Sequence, residues 1–260
     1  MKLVSPENFG VEQKNFVEKF KDSVKILSSQ TDIVFGAKDV NSRHLIATDA
    51  YARLVGLSRG VDVVNRFDRD MPCEGTAQFA DCYVEEDQEL LRHADINQTK
   101  LFLNVHEYSN GIDAFVFEKI LLKHIDSRSI LGVIYSAHRI EISSFLNLVP
   151  NYIIEFGVGG SIGNASQSFT VGKERLTDYE HEVCFLLAMN WDFKQISHFM
   201  DKHRPISGKR SADTIYKCRN RICEKLDCHP SHFRDMLVAI GIHQKMPTSF
   251  FRRLIGSRPL

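Results

Sequence analysis

The sequence lacks any long apolar run, and this absence excludes one class of protein at the outset. No stretch of the 260 residues approaches the roughly 20 apolar residues that span a bilayer. The N-terminus also lacks the basic-then-apolar pattern of a secretory signal. We therefore expect a cytoplasmic protein that does not associate with a membrane.

Paired Cys-x-x-Cys spacing is also absent, although the chain contains six cysteines. This spacing is typical of zinc ribbons and of thioredoxin-like redox sites, so neither class is indicated. Three of the six fall at apolar positions of predicted helices, which favours reduced, structural thiols. The six are Cys73, Cys82, Cys184, Cys218, Cys223 and Cys228.

No combination of residues in the sequence indicates catalysis. We find no nucleophile–histidine–acid set, no glycine-rich loop that could hold a phosphate, and no internal repeat. The strand order described below also argues against a phosphoacceptor receiver domain. We therefore expect a protein that is not an enzyme, with no metal site and no certain cofactor.

The net charge of zero hides an asymmetry along the chain. Residues 1–172 contain 17 Lys and Arg against 23 Asp and Glu, whereas residues 173–260 contain 16 against 10. The change occurs at 157–172, a stretch rich in Gly and Ser that is typical of a linker. We predict a domain over 1–156, a linker over 157–172, and a second domain over 173–260 that contacts a polyanion.

The first domain is predicted to have an α+β fold, in which an N-terminal helix precedes an antiparallel sheet. Alternating apolar residues predict two short strands early in the domain and three long strands late in it, joined by hairpin-like turns. Asp49 is a candidate N-cap for a helix after the second strand. The predicted helices are 11–27 and 49–57, and the predicted strands are 32–38, 44–48, 100–108, 112–124 and 129–140.

Two segments of this domain resemble motifs of the PAS family. The stretch D-A-Y-A-R-L-V-G-L at 49–57 resembles the family's N-x-a-f-x-x-l-x-G segment, with Asp49 in place of the usual Asn. The stretch G-V-I-Y-S-A-H-R-I at 132–140 resembles the last PAS strand. The resemblance covers residues 28–142. It implies a domain that binds a cofactor, binds a small ligand, or pairs only with another protein.

The second domain is predicted to consist of helices only. Thr177 and Glu180 have the spacing of a capping box, 193–200 form a second helix, and a third begins near Ser211. Eight Lys and Arg but only two acids lie between Lys194 and Arg221. A helix-turn-helix whose last helix is basic fits a DNA major groove. The apolar stripe predicted to dock this helix comprises Ile215, Cys218, Ile222 and Leu226.

Three separated blocks of this domain resemble the LuxR-type (GerE-like) DNA-binding family. They are L-T-x-x-E-x-x-V-x-x-L-L from 176, K-Q-I-S from 194, and T-I-x-x-x-x-x-R-I-x-x-K-L from 214. The resemblance implies a homodimer bound to double-stranded DNA. The implied contact residues are Thr214, Tyr216, Lys217, Asn220 and Arg221.

Two features depart from the LuxR-type pattern. Cys218 replaces a common His, and the segment before Thr214 is about eight residues longer than in the family. This segment contains Lys209 and Arg210. It either adds phosphate contacts or is a surface loop whose charge aids solubility.

The strands of the first domain also contain a candidate ligand site. Alternation puts Phe115, Phe117 and Lys119 on one face, and Phe102 lies in the preceding strand. A buried lysine is costly unless it has a partner, so Lys119 either reaches solvent or meets an acceptor. In the second case, the two rings of the 112–124 strand would hold a flat heterocycle and the lysine would donate to it.

The domain order resembles that of quorum-sensing receptors of the VqmA type. The resemblance implies that the PAS domain binds a small hydroxypyrazine through an aromatic-x-lysine motif, which Phe117-Glu118-Lys119 matches. Two alternatives remain. One is a haem sensor that uses His93, His106 or His138; the other is an interaction module without a ligand, either with constitutive DNA binding or with basic helices that dock on an acidic partner.

Overall fold

A computed structural model of the protein describes residues 1–92, 99–140, 156, 161–165, 169–203 and 209–250. The chain divides into two compact units. The first comprises Met1–Ile140 with Val158–Ser161, and the second comprises Glu141–Gly157 with Ile162–Leu260. In the part of the chain that the structure describes, no helix is long and apolar enough to cross a membrane.

The first unit is built on an antiparallel sheet, and the predicted strands are confirmed to within two residues. The strands are β1 (Lys2–Leu3), β2 (Val34–Asp39), β3 (His44–Ala47), β4 (Lys100–Tyr108), β5 (Gly111–His124) and β6 (Ser129–Arg139). In space the order of the five main strands is β4-β5-β6-β2-β3, and β1 pairs in parallel with the start of β6. Phe102 lies opposite Phe117 in the register of β4 and β5.

Helices cover both faces of this sheet. They are α1 (Val11–Gln30), α2 (Asp49–Leu54), α3 (Glu74–Gln78) and α4 (Ala80–Arg92). Val17 of α1 belongs to a core cluster with Leu122 of β5, whereas Leu90 of α4 belongs to another cluster with Leu121. Since neighbouring strand residues point to opposite faces, α1 and α4 lie on opposite sides of the sheet.

The N-cap of α2 is Thr48, so the prediction of Asp49 was wrong. The Thr48 hydroxyl accepts a hydrogen bond from the Tyr51 amide. The Asp49 carboxylate instead accepts from the Gly60 amide at 2.7 Å. Gly60 lies so close to β3 that a Cβ there would be 1.9 Å from the Ala47 carbonyl oxygen. The Asp49 carboxylate is therefore engaged by a contact that the sequence does not reveal, while Thr48 caps the helix.

The second unit has a helical core, and the order of its predicted helices is confirmed. The helices are α5 (Asp178–Ala188), α6 (Phe193–His203), α7 (Ala212–Lys225) and α8 (Phe233–Ala239). The Thr177 hydroxyl accepts from the Glu180 amide, and the Glu180 carboxylate accepts from the Thr177 amide, as the capping box predicts. Ile215, Cys218 and Ile222 of α7 are buried and Leu226 is half-buried, so the predicted stripe does dock the helix.

An all-helical description of the second unit is incomplete, because two short strand pairs accompany the helices. The first pair is β8 (Thr170–Val171) with β9 (Glu174–Arg175), joined by a turn in which Gly172 has φ of +59°. The second is β7 (Ser161–Ala165) with β10 (Lys245–Pro247). This parallel pairing joins residues far apart in sequence, so no local pattern predicts it. Part of the predicted linker lies outside the described residues, and its role stays a prediction.

Candidate functional site

Lys119 of β5 is buried and meets acceptors, which decides between the two alternatives left open by the sequence. Its ammonium group lies 2.6 Å from Asp87 Oδ1 and 2.9 Å from Glu86 Oε2, both on α4. Burial alone would lower the pKa of Lys119, but the two carboxylates raise it above its ordinary value. Lys119 is therefore a charged group held inside the first unit by an acidic pair from the covering helix.

A second lysine, Lys38 of β2, extends this arrangement into a chain of charges. Its ammonium group donates to Asp68 Oδ2 at 2.5 Å and to Asp87 Oδ2 at 3.3 Å. Asp87 thus bridges the two lysines. Burial would raise the pKa of both Asp68 and Asp87, but the neighbouring lysines lower both values, helped at Asp68 by His44. Both aspartates are therefore ionised at neutral pH.

His44 and two tyrosines continue the network beyond Asp68. His44 Nε2 lies 3.0 Å from Asp68 Oδ1, and Tyr135 OH lies 3.1 Å from His44 Nδ1. Tyr51 OH donates to the same aspartate at 3.3 Å. Burial lowers the pKa of His44 and raises the pKa of both tyrosines well above the usual range. Apart from Asp68, this part of the network carries no charge, and its polar groups are hydrogen-bonded to one another.

These side chains surround a cavity between the sheet and the helices α2 to α4. Its volume is about 30 Å³, enough for about two water molecules. Aromatic rings and paired charges make up most of its wall. The lining residues are Lys38, Tyr51, Leu54, Val55, Asp68, Thr76, Tyr83, Asn104, Tyr108, Phe117, Lys119 and Tyr135.

Two of the four predicted ligand residues, Phe117 and Lys119, lie in this wall. The other two are buried behind it. The ring of Phe102 is 5.5 Å from the Lys119 ammonium group, and Phe115 packs edge-on against Tyr108 at 5.2 Å. Phe102 and Phe115 therefore pack against lining residues and do not line the cavity themselves.

The haem alternative does not fit the geometry of this unit. His106 is buried, and its Nε2 lies 2.7 Å from Tyr83 OH. Burial lowers its pKa to about 4. The cavity is far smaller than a porphyrin ring. His138 is exposed near the end of β6, and His93 lies outside the described residues.

In the second unit, the outward face of α7 presents most of the residues predicted to contact DNA. Tyr216, Lys217 and Arg221 are exposed, and Asn220 is half-buried. Lys217 pairs with Asp213 at 2.7 Å, but its side chain remains 72% exposed, so this pair is open to exchange. The Thr214 hydroxyl lies 3.1 Å from the Ser211 hydroxyl at the start of the helix.

The two basic residues predicted in the long segment before α7 have different environments. Lys209 is exposed. The Arg210 side chain is only 4% exposed, and its guanidinium donates to the Met200 carbonyl oxygen and pairs with Asp201 at 3.1 Å. Arg210 therefore joins the end of α6 to the start of α7, and a direct phosphate contact by Arg210 is not supported. Residues 204–208 of this segment lie outside the described residues.

Arg219, which is also on α7, was not among the predicted contact residues. Its guanidinium lies 4.8 Å from the ring centre of Tyr216 and 5.5 Å from that of Phe193. Arg stacked on aromatic rings is held in a narrow range of orientations. The three-residue spacing of Tyr216 and Arg219 is a signal for one of these contacts, but Phe193 comes from another helix. The buried partners Lys38, Asp68 and Asp87 were missed because they are scattered along the chain.

No family model and no curated protein matches the chain. Among solved structures, the chain is similar to a Vibrio cholera VqmA–ligand–DNA complex (23% identity, 95% of this chain and 94% of that one, TM-score 0.42). It is also similar to a phage VqmA–DPO complex (23% identity, 92% and 93%, TM-score 0.44). A third is the PAS domain of Bordetella pertussis BvgS (14% identity, 55% and 99%, TM-score 0.39). The likeness to the two VqmA structures extends over both units of the chain.

Proposed function

We propose that the chain is a cytoplasmic, homodimeric transcriptional regulator that binds DNA through α7 and senses a small molecule in its first unit. The observation that carries the proposal is the outward face of α7, which exposes Tyr216, Lys217 and Arg221 while its opposite stripe is buried. Basic and aromatic side chains on one exposed helix face match the chemistry of a major groove and its phosphates.

The individual contacts follow from the chemistry of each side chain. Lys217, Arg221 and Asn220 can reach base edges, since they carry donors that fit guanine or adenine. Thr214 and Lys209 are exposed near the start of the helix and can donate to phosphate oxygens. Arg219 is added to the predicted set, because Tyr216 and Phe193 orient its guanidinium before DNA arrives. Such domains read paired half-sites, which supports a homodimer.

The cavity of the first unit favours a small, neutral, flat ligand. Lys119 and Lys38 both have carboxylate partners, so an anionic ligand would have to displace Asp87 or Asp68. The free volume of about 30 Å³ is smaller than a six-membered ring, so the surrounding aromatic side chains must move to admit one. A ring would then stack on Phe117, as the aromatic-x-lysine resemblance implies. Binding would shift the population of conformers of this unit.

A second candidate function follows from the small size of the same cavity. A first unit that binds no ligand would serve only for pairing with another chain, and DNA binding would be constitutive. The two candidates differ in what the purified protein binds. We expect a small molecule to be released when the full-length protein is denatured, and DPO, the ligand named in the phage complex, to raise its melting temperature. A protein that releases nothing and ignores DPO would favour the ligand-free alternative.

The DNA-binding proposal is tested with the double variant Lys217→Ala/Arg221→Ala of the full-length chain. A duplex selected from a random pool for binding to the parent serves as the probe. Each lost phosphate contact reduces the slope of log affinity against log salt by about 0.9, so we expect the slope to fall by up to about 2. The matched control is Lys14→Ala/Lys19→Ala on the exposed face of α1. Equal affinity and slope in both variants would refute the assignment of α7.

A further inference from the structure

Two hydroxyl groups in the cavity wall have no hydrogen-bond partner among the described residues. Thr76 of α3 is 3% exposed and Tyr108 of β4 is 5% exposed. Both line the cavity, and neither Thr76 Oγ1 nor Tyr108 OH is paired within the described part of the chain. Buried hydroxyls in proteins are nearly always hydrogen-bonded, so these two require an explanation.

The two unpaired hydroxyls contrast with the other polar groups of the wall. Lys38, Lys119 and Asp68 are all held in ion pairs, and Tyr51 and Tyr135 donate to or accept from neighbours. The paired groups can be reached by a ligand only if an existing bond breaks. Thr76 and Tyr108 offer hydrogen-bonding capacity that is not already used by another described residue.

Tyr108 also occupies a particular place in the wall. It lines the cavity and, in addition, an open groove beside α3 that includes Gly75 and Ser109. Its phenol is protonated, since burial raises its pKa well above the usual range, so it can donate a hydrogen bond. Thr76 can donate or accept. A ligand that enters from the groove side would therefore meet both a donor and an acceptor.

We propose that Thr76 and Tyr108 form the hydrogen-bonding end of the ligand site and select a neutral ring that bears a hydroxyl, oxo or amide group. This inference rests on the proposed sensing function and names the residues that set its specificity. Phe117 supplies the stacking surface, and the lysines keep their carboxylate partners. Ordered water is the competing explanation, because the cavity has room for about two water molecules that could bond to both hydroxyls.

The experiment uses two probes of similar size, 2-hydroxypyrazine and 2-methylpyrazine, with the full-length protein and isothermal titration calorimetry. We expect the parent to prefer the hydroxyl compound by about ten- to a hundredfold, the combined effect of two hydrogen bonds. Thr76→Val and Tyr108→Phe should each reduce this preference by about five- to tenfold and leave affinity for the methyl compound unchanged. The control variants Thr170→Val and Tyr179→Phe make the same atomic changes in the second unit and should keep the preference.

A second measurement separates ligand recognition from a structural role. Each variant deletes a hydroxyl without changing the shape of the side chain, so the melting temperature without ligand should stay the same or rise. A fall of several degrees would show that the hydroxyls bond within the fold, and it would overturn the proposal.

The outcomes also distinguish this inference from the proposed function. Binding of both probes with the same preference in parent and variants leaves the sensing function standing and overturns the role of Thr76 and Tyr108. It would indicate that water alone satisfies the two hydroxyls. Failure of the parent to bind either probe or DPO would instead overturn the sensing function itself.

Discussion

The two units use the same types of charged residue in opposite ways. In the first unit, Lys119 and Asp87 form an ion pair with side chains 4% and 1% exposed. In the second unit, Lys217 and Asp213 form a pair of similar length with side chains 72% and 65% exposed. A buried charge requires its partner, whereas an exposed pair is weak and exchanges readily with solvent or with another ligand. The Lys119–Asp87 pair therefore helps to form the wall of a cavity, whereas the Lys217–Asp213 pair stays accessible to solvent and to other ions.

We expect the largest difference between the two pairs when one carboxylate is removed from each. Asp87→Asn leaves Lys119 and Lys38 short of a partner inside the protein, and we expect it to destabilise the first unit by about 3–5 kcal/mol. Asp213→Asn should change the stability of the second unit by less than about 0.5 kcal/mol. Hydrogen exchange of the β5 and α7 amides reports each unit separately. Similar losses of protection from hydrogen exchange in the two variants would contradict the distinction between a buried and an exposed ion pair.

Each unit contains a buried neutral histidine, so we expect both units to lose stability as the pH falls. Burial lowers the pKa of His106 in the first unit and of His181 in the second, each from 6.5 to about 4. The unfolded chain therefore binds more protons between these values, and the stability present at neutral pH is lost as the pH falls from about 6.5 to about 4. Each histidine accounts for up to about 3 kcal/mol of this loss.

A variant at each buried histidine separates the two contributions. His106→Gln should flatten the pH dependence of the first unit alone, and His181→Gln that of the second alone, as measured by hydrogen exchange at a series of pH values. The exposed His198→Gln is the control. An unchanged acid response in His106→Gln would show that other groups dominate in the first unit.

Helix caps offer a smaller test of the same contrast between buried and exposed polar groups. The Thr177 hydroxyl is exposed and accepts one bond, so Thr177→Ala should cost about 1 kcal/mol. Thr48 is fully buried, and its hydroxyl also donates to the Ile33 carbonyl oxygen at 2.7 Å and accepts from the Phe35 amide at 3.2 Å. Thr48→Ala should therefore cost more, about 2 kcal/mol. Equal costs by urea unfolding would show that burial does not strengthen the cap.

Local periodicity was enough to predict most of the elements. Strands 100–108, 112–124 and 129–140 agree with the observed strands, because alternation along a half-buried strand is visible in any single stretch. The same holds for α7, whose buried stripe repeats every three or four residues. The cap of α2 was misassigned, since Thr48 and Asp49 are both good caps and the sequence does not show that Asp49 instead accepts from the Gly60 amide.

The candidate site was predicted only where its residues are close in sequence. Phe117 and Lys119 share one face of one strand, so alternation alone places them together. The acids that neutralise Lys119 come from α4, and Lys38 comes from a strand about 80 residues away, a distance that no local pattern spans. Arg210 is a different case. It lies in a basic segment and was expected to be exposed, but the fold buries its side chain against Asp201.

The amino-acid sequence was sufficient to predict the α+β order, the charge asymmetry between the two halves, and the exposed face of α7. These properties depend on composition and on short-range periodicity. Only the three-dimensional contacts show that Lys119 is paired rather than solvated, that Asp87 bridges two lysines, and that the hydroxyls of Thr76 and Tyr108 have no partner among the described residues. The physical reason is that the protonation and pairing of a buried group depend on which distant side chains the fold brings within about 3 Å of it.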